Sequence, residues 1–197
     1  MYNEGLEPRL EEARAEERAV YFVDASHVVL APFLGFLWSV TRIFLRAPSG
    51  RQRFNVLGAL QAVTHQLLTV TNDTYITAES VCLLLEQVAS AGGALPVTVV
   101  LDNASYQRCA RVAACAARLG IELLFLPPYS PNLNLIERLW GFVKDARLYN
   151  TYYEKFPAFT AAIEACLAET QGRHKAALDT HLTLKFQSFK TSINSLG

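Results

Sequence analysis

The sequence predicts an α/β fold: a mixed β-sheet with helices on both faces. Three observations predict it. Short apolar runs at 19–24 (AVYFVD), 96–101 (PVTVVL) and 121–126 (IELLFL) have the length and β-branched content of buried strands. The last two are separated by a helix-like stretch, which reads as a βαβ unit with parallel strands. The runs at 54–63 and 66–71 are joined too closely for a crossover, so they read as an antiparallel hairpin.

The elements follow in order. Residues 6–18, LEPRLEEARAEER, read as a charged helix or a fraying lead-in, and 19–24 as the first strand. Residues 25–53 look irregular, broken by Pro32, Gly35, Pro48 and Gly50, with a strand expected at 41–46. After the hairpin around His65, Thr77 is the expected N-cap of a helix over 78–90, with Ser80 at N3 and Gly92-Gly93 at its end. A helix over 105–119 stops at Gly120. Beyond the strand 121–126, three prolines turn the chain, and Asn132 or Asn134 is placed to cap a helix over 133–146. Another helix covers 156–170. The organisation expected is a lead-in (1–18), a main domain (19–170) and a basic tail (171–197) carrying Arg173, Lys175, Lys185 and Lys190.

Composition narrows the function. The 197 residues are 51% hydrophobic and carry 18 basic and 18 acidic side chains, which describes a globular chain without the charge excess of a strong nonspecific nucleic-acid binder. The charge is unevenly spread: residues 1–18 hold six Glu and three Arg, and no acid lies between Asp24 and Asp73. Arg42, Arg46, Arg51 and Arg53 fall in that acid-free span, either as a phosphate-binding patch or as solvated arginines. Cys82, Cys109, Cys115 and Cys166 form no C-x-x-C pair and read as reduced core thiols, implying a cytosolic protein. No signal peptide or membrane-length apolar run is evident.

The acids carry the chemistry. Asp24 ends the first strand and Asp102 follows 96–101. If those strands are parallel neighbours, both aspartates lie where open sheets bind ligands, beyond the strands' carboxyl ends. Two carboxylates so close repel unless a cation lies between them, and a hard ion such as Mg²⁺ suits oxygen donors. Glu137 opens the helix after the proline turn. Ile136, Leu139, Trp140 and Val143 form that helix's buried stripe, so Glu137 points off it, on a face shared with Gly141 and Lys144. Taken singly, each acid is also an ordinary turn or first-turn residue.

The element order is that of ribonuclease H-like folds. LDNASYQ at 101–107 with LPPYSPNLNLIERLW at 126–140 resembles the catalytic core of DDE transposases, specifically the mariner superfamily and its bacterial insertion-sequence relatives. YFVDASHVVLAPFLGFLW at 21–38 resembles the segment carrying that family's first aspartate, and 34 residues separate Asp102 from Glu137, as in several of its branches. The resemblance implies that Asp24, Asp102 and Glu137 are catalytic and bind two Mg²⁺ or Mn²⁺ ions, with Asn103 orienting Asp102 or the substrate. It implies cutting and joining of double-stranded DNA at transposon ends, in a homodimer, in the prokaryotic cytoplasm close to the nucleoid. Candidate phosphate contacts are Arg42, Arg46, Arg51, Arg53, Arg138 and Lys144; Tyr129, Trp140 and Phe142 are candidates for stacking on a base, with core packing the stronger reading for Trp140.

Three departures stand out. Relatives carry a histidine a few residues after the second aspartate, where this chain reads Ser105-Tyr-Gln-Arg108; many carry a proline where it has Leu135; and a helix-turn-helix domain does not fit in the 23 residues before Asp24. Two alternatives stay open. One is a ribonuclease H-like nuclease or resolvase that does not join strands. The other is a truncated or frameshift-partner fragment that binds DNA or oligomerises, with an upstream-encoded helix-turn-helix partner.

Overall fold

The structure is a computed structural model describing residues 5–30, 52–128, 130–149, 151–184 and 186. Its chain order is α1 (Glu7–Arg14), β1 (Ala19–Val29), β2 (Arg53–Gln61), β3 (Leu67–Asn72), α2 (Ala78–Gly92), β4 (Val97–Leu101), α3 (Ala110–Leu119), β5 (Ile121–Phe125), α4 (Ile136–Arg147), α5 (Phe156–Ala168) and α6 (Lys175–His181). The strands form one sheet in the order β3-β2-β1-β4-β5. β1–β2 and β2–β3 are antiparallel; β1–β4 and β4–β5 are parallel. The predicted mixed sheet is therefore present, with β1 as the hinge between its two halves.

Strand alternation divides the core. On β1, Val20 and Phe22 pack with α1, α4, α5 and α6, whereas Tyr21 and Val23 pack with α2 and α3. All four are at most 1% exposed, so the sheet is covered on both sides, as a run of continuous hydrophobicity requires.

Local signals explain the helix limits. Thr77 caps α2 as expected: its hydroxyl accepts from the Ser80 amide at 3.5 Å, and Ser80 Oγ accepts from the Thr77 amide at 3.3 Å. Gly120 closes α3 at φ +66°, a left-handed conformation that glycine adopts without steric cost.

Several expectations need correction. β1 does not stop at Asp24 but runs to Val29, held by antiparallel pairing with β2 down to Val29↔Arg53. The helix expected in the charged lead-in is present as α1, but it is part of the core through Leu10 and Ala13, with Leu6 just before it. Its charges dock it on the sheet, with Arg9 and Arg18 both reaching Glu122 on β5, at 2.8 and 3.1 Å. The basic tail contains α6, and Leu178 and Leu182 are buried with α4 and α5. Neither asparagine is the N-cap of α4; Leu135 holds that position, after a 3₁₀ turn at Pro131–Leu133. α3 begins at Ala110, five residues later than expected from the apolar pattern. The proposed strand at 41–46, with Arg42, Arg46, Arg51 and Tyr129, lies outside the described residues.

Candidate active site

Parallel pairing sets the first two acids side by side. Val23 on β1 is opposite Leu101 on β4, so Asp24 and Asp102 come one residue later on adjacent chains. By strand alternation Asp24 lies on the same face as Phe22, towards α4. There the Trp140 indole N–H donates to Asp24 Oδ2 at 3.0 Å. Asp102 closes a turn by accepting the Ala104 amide on Oδ1 at 3.2 Å.

Gly58 makes the Trp140 contact possible. It pairs with Asp24 across β1–β2, and a Cβ on it would lie 2.8 Å from the Trp140 ring and 2.9 Å from Ile136 Cδ1. The indole thus lies over β2 at the position where that strand carries no side chain to block it.

Glu137 is exposed, as its helical phase predicts, while Ile136, Leu139, Trp140 and Val143 are buried. It faces Asp102 across a cleft of about 340 Å³, walled by Asn103, Pro127, Pro128 and Asn134. The proline turn therefore forms one side of the cleft. Asn134 does not cap α4 but ties it to the sheet, donating from Nδ2 to the Val23 carbonyl at 3.3 Å. Its buried Oδ1 has no partner, leaving an orphaned acceptor beside the carboxylates. Asn103 Nδ2 donates to the Leu126 carbonyl, fixing the end of β4 to the end of β5.

Electrostatics ties the acids together. Burial, then the charge of Glu137 and that of Asp102, push the Asp24 carboxyl up to about 7, against the opposing hydrogen bonds from the Ala25 amide and Trp140. Burial and the charges of Asp102 and Asp24 push the Tyr106 phenol up to about 12, which keeps it a neutral donor near both aspartates. Among the described residues, no three His, Cys, Asp or Glu side chains close into a metal cage. The donor set nevertheless fits a hard divalent cation: it is all carboxylate, and burial, with the charges of Glu137 and Asp102 added, holds Asp24 against ionisation.

Other predicted residues separate into groups. Arg138 is anchored in the fold, bonding the Thr183 carbonyl and lying 5.5 Å from the centroid of the Phe186 ring. Phe142 packs edge-on against His174 at 5.2 Å, which accounts for its ring within the fold. Lys144 is half-buried on α4, and Arg53 is exposed at the start of β2 beside a second cleft with Asp73 and Tyr75. His27 bonds Asn55 at 2.7 Å, away from the acids. Sequence reasoning missed Gly58 and Tyr106; a glycine opposite Asp24 gives no sign of itself without the strand register, whereas Tyr106 stands within the LDNASYQ motif.

Residues 19–160 match the DDE superfamily endonuclease family. The chain belongs to that family. It is 25% identical over 139 residues to the 39 kDa protein of insertion element IS630 from Shigella sonnei, an alignment covering 69% of this chain and 40% of that protein. The fold is that of the Mos1 mariner transposase in its paired-end complex with Mn (TM-score 0.59, 12% identity, 91% of this chain, 60% of that one). It is also that of the magnesium-bound HTLV-2 integrase catalytic core (TM-score 0.51, 13% identity, 78% of this chain, 86% of that one). The expected ribonuclease H-like architecture of a DDE enzyme is thus borne out. Among the described residues, no helix is long and apolar enough to cross a membrane.

Proposed function

We propose that this DDE endonuclease is the catalytic domain of a DNA transposase, cutting transposon-end DNA and joining it to a target. One observation carries the reading: Asp24 within β1 and Asp102 just past β4 follow the Val23↔Leu101 pair on neighbouring strands, and Glu137 lines the same cleft as Asp102. The IS630 relative and the Mos1 likeness support it.

Asp24, Asp102 and Glu137 are the residues to hold Mg²⁺ or Mn²⁺, two ions in the full reading. Bound divalent ions supply charge neutralisation at the scissile phosphate and activation of the attacking and leaving oxygens. The chain's own groups do the rest. Trp140 holds Asp24 in one orientation, Asn103 and Asn134 brace the strand ends, and the Tyr106 phenol offers a neutral donor. Lys144, on the face that carries Glu137 and Gly141, contacts backbone phosphate. Catalysis of this kind is largely positioning and charge stabilisation. Because the aligned segment spans 40% of the relative, end recognition by an additional helix-turn-helix segment or partner, and dimerisation, are parts of the same proposal.

The test is Mn²⁺-dependent nicking and strand transfer on DNA bearing the element's ends, with wild type, Asp102→Ala and Glu137→Gln. The expected result is nicking and joining by wild type, each lowered on the order of a thousandfold or more in both variants. Equal nicking by wild type and Asp102→Ala overturns the site. Cleavage without joining points instead to a nuclease or resolvase.

A further inference from the structure

Among the described residues, every arginine except Arg53, Arg108 and Arg138 lies within 4.0 Å of a glutamate oxygen. Arg138 is tied to Thr183 and Phe186. Arg108 is different: it is exposed, yet its guanidinium is held by two uncharged groups. Nη1 donates to Asn103 Oδ1 at 3.0 Å, and Cζ stands 5.0 Å from the centroid of the Phe125 ring. The amide and the ring orient the guanidinium without neutralising it. An ion pair would have done both.

The location gives this arrangement meaning. Asn103 and the Leu126-Pro127-Pro128 segment wall the acid cleft on one side and an adjoining groove on the other, and Arg108 lines that groove. A polyanion lying along the carboxylates would run over the proline wall and meet Arg108 next. A fixed planar fork of donors suits phosphate oxygens. Asn103 is the link, since its other amide atom is anchored on the Leu126 carbonyl.

We infer that Arg108 is a phosphate-binding residue that grips the DNA backbone one or more nucleotides from the scissile bond, pre-oriented by Asn103 and Phe125. The inference rests on the DNA-processing reading above and adds to it a contact that neither the motif nor the acids specify.

The experiment uses the full chain and a short duplex of arbitrary sequence, because a phosphate contact is independent of sequence. Binding is followed by fluorescence anisotropy in Ca²⁺ across a salt series, for wild type, Arg108→Gln and Arg108→Lys. Arg108→Gln is expected to weaken binding about tenfold, as loss of a charged hydrogen bond does. It should also flatten the log–log salt dependence by about one. Arg108→Lys should restore the salt slope but only part of the affinity, since a lysine keeps the charge and loses the fork. If wild type binds and Arg108→Gln shows the same affinity and slope, the inference is wrong and the functional reading stands. If wild type binds no duplex, both fall.

Discussion

Trp140 serves two purposes with one side chain. Only 3% exposed, it fills the core between α4 and the sheet, and its indole N–H is spent on Asp24. The motif allowed both a core and a base-stacking reading for it; burial decides for the core. The hydrogen bond was not legible, because its partner lies 116 residues away and only the β1–β2 register and the gap at Gly58 bring them together. The acids themselves were legible, since an aspartate after an apolar run and a first-turn glutamate are local features, although Asp24 lies within β1 and not at its end. Phenylalanine at position 140 keeps most of the ring and deletes the donor. Trp140→Phe should lose about 1–2 kcal/mol of stability in denaturant unfolding. It should also weaken Mn²⁺ binding on the order of tenfold by calorimetry, as loss of an outer hydrogen bond to a ligand does. Unchanged Mn²⁺ affinity would mean the indole only packs.

At the scale of elements, two glycines, one on β2 beneath α4 and one within α4, make opposite demands. Gly58 sits on β2 beneath the helix, where a Cβ would fall within 3.0 Å of Trp140 and Ile136. Gly141 sits on the exposed side of α4, and a Cβ there meets nothing within 4 Å. Gly58→Ala should therefore destabilise by about 1–3 kcal/mol through overpacking. Gly141→Ala should stabilise by up to ~1 kcal/mol from helix propensity. Urea melts of the two variants check both signs, and a destabilising Gly141→Ala would reveal a packing role that the fold does not contain. The same contrast explains which elements could be read beforehand. α4's buried stripe, the Thr77 cap of α2 and the Gly120 stop of α3 are local and were anticipated. α1 was read as a charged helix or a fraying lead-in and the region of α6 as a polar tail, because most of their residues are charged or small, while the few that matter, Leu6, Leu10 and Leu178, owe their burial to distant partners. β1 passes beyond Asp24 because β2 supplies hydrogen bonds to it, which no property of residues 25–29 announces.

Across the whole molecule the cluster of Asp24, Asp102 and Glu137 opposes folding. Glu7 and Glu12 are neutralised in ion pairs with Arg9, Arg14 and Arg18, but Asp24 is raised by burial and by the like charges of Glu137 and Asp102. Its carboxyl is raised from 3.8 to about 7 by burial and by Glu137 and Asp102. Below about pH 4 the group is protonated in folded and unfolded chains alike, so it does not affect stability. Between there and about pH 7 the unfolded chain releases the proton while the folded one keeps it, so stability falls as pH rises. Above pH 7 the penalty is complete, on the order of 4 kcal/mol at 1.36 kcal/mol per unit. Asp24→Asn removes the charge and should raise the metal-free Tm at pH 8 while leaving it nearly unchanged at pH 4. Mn²⁺ adds a second handle. Binding to the folded state alone stabilises it by mass action, so the ion should raise the wild-type Tm at pH 8, where the carboxylates are ionised, and do little for Asp24→Asn. Thermal melts of the two proteins at both pH values, with and without Mn²⁺, separate the two effects. An Asp24→Asn protein no more stable than wild type at pH 8 would mean that Asp24 is already relieved within the fold, leaving the cation no electrostatic debt to settle.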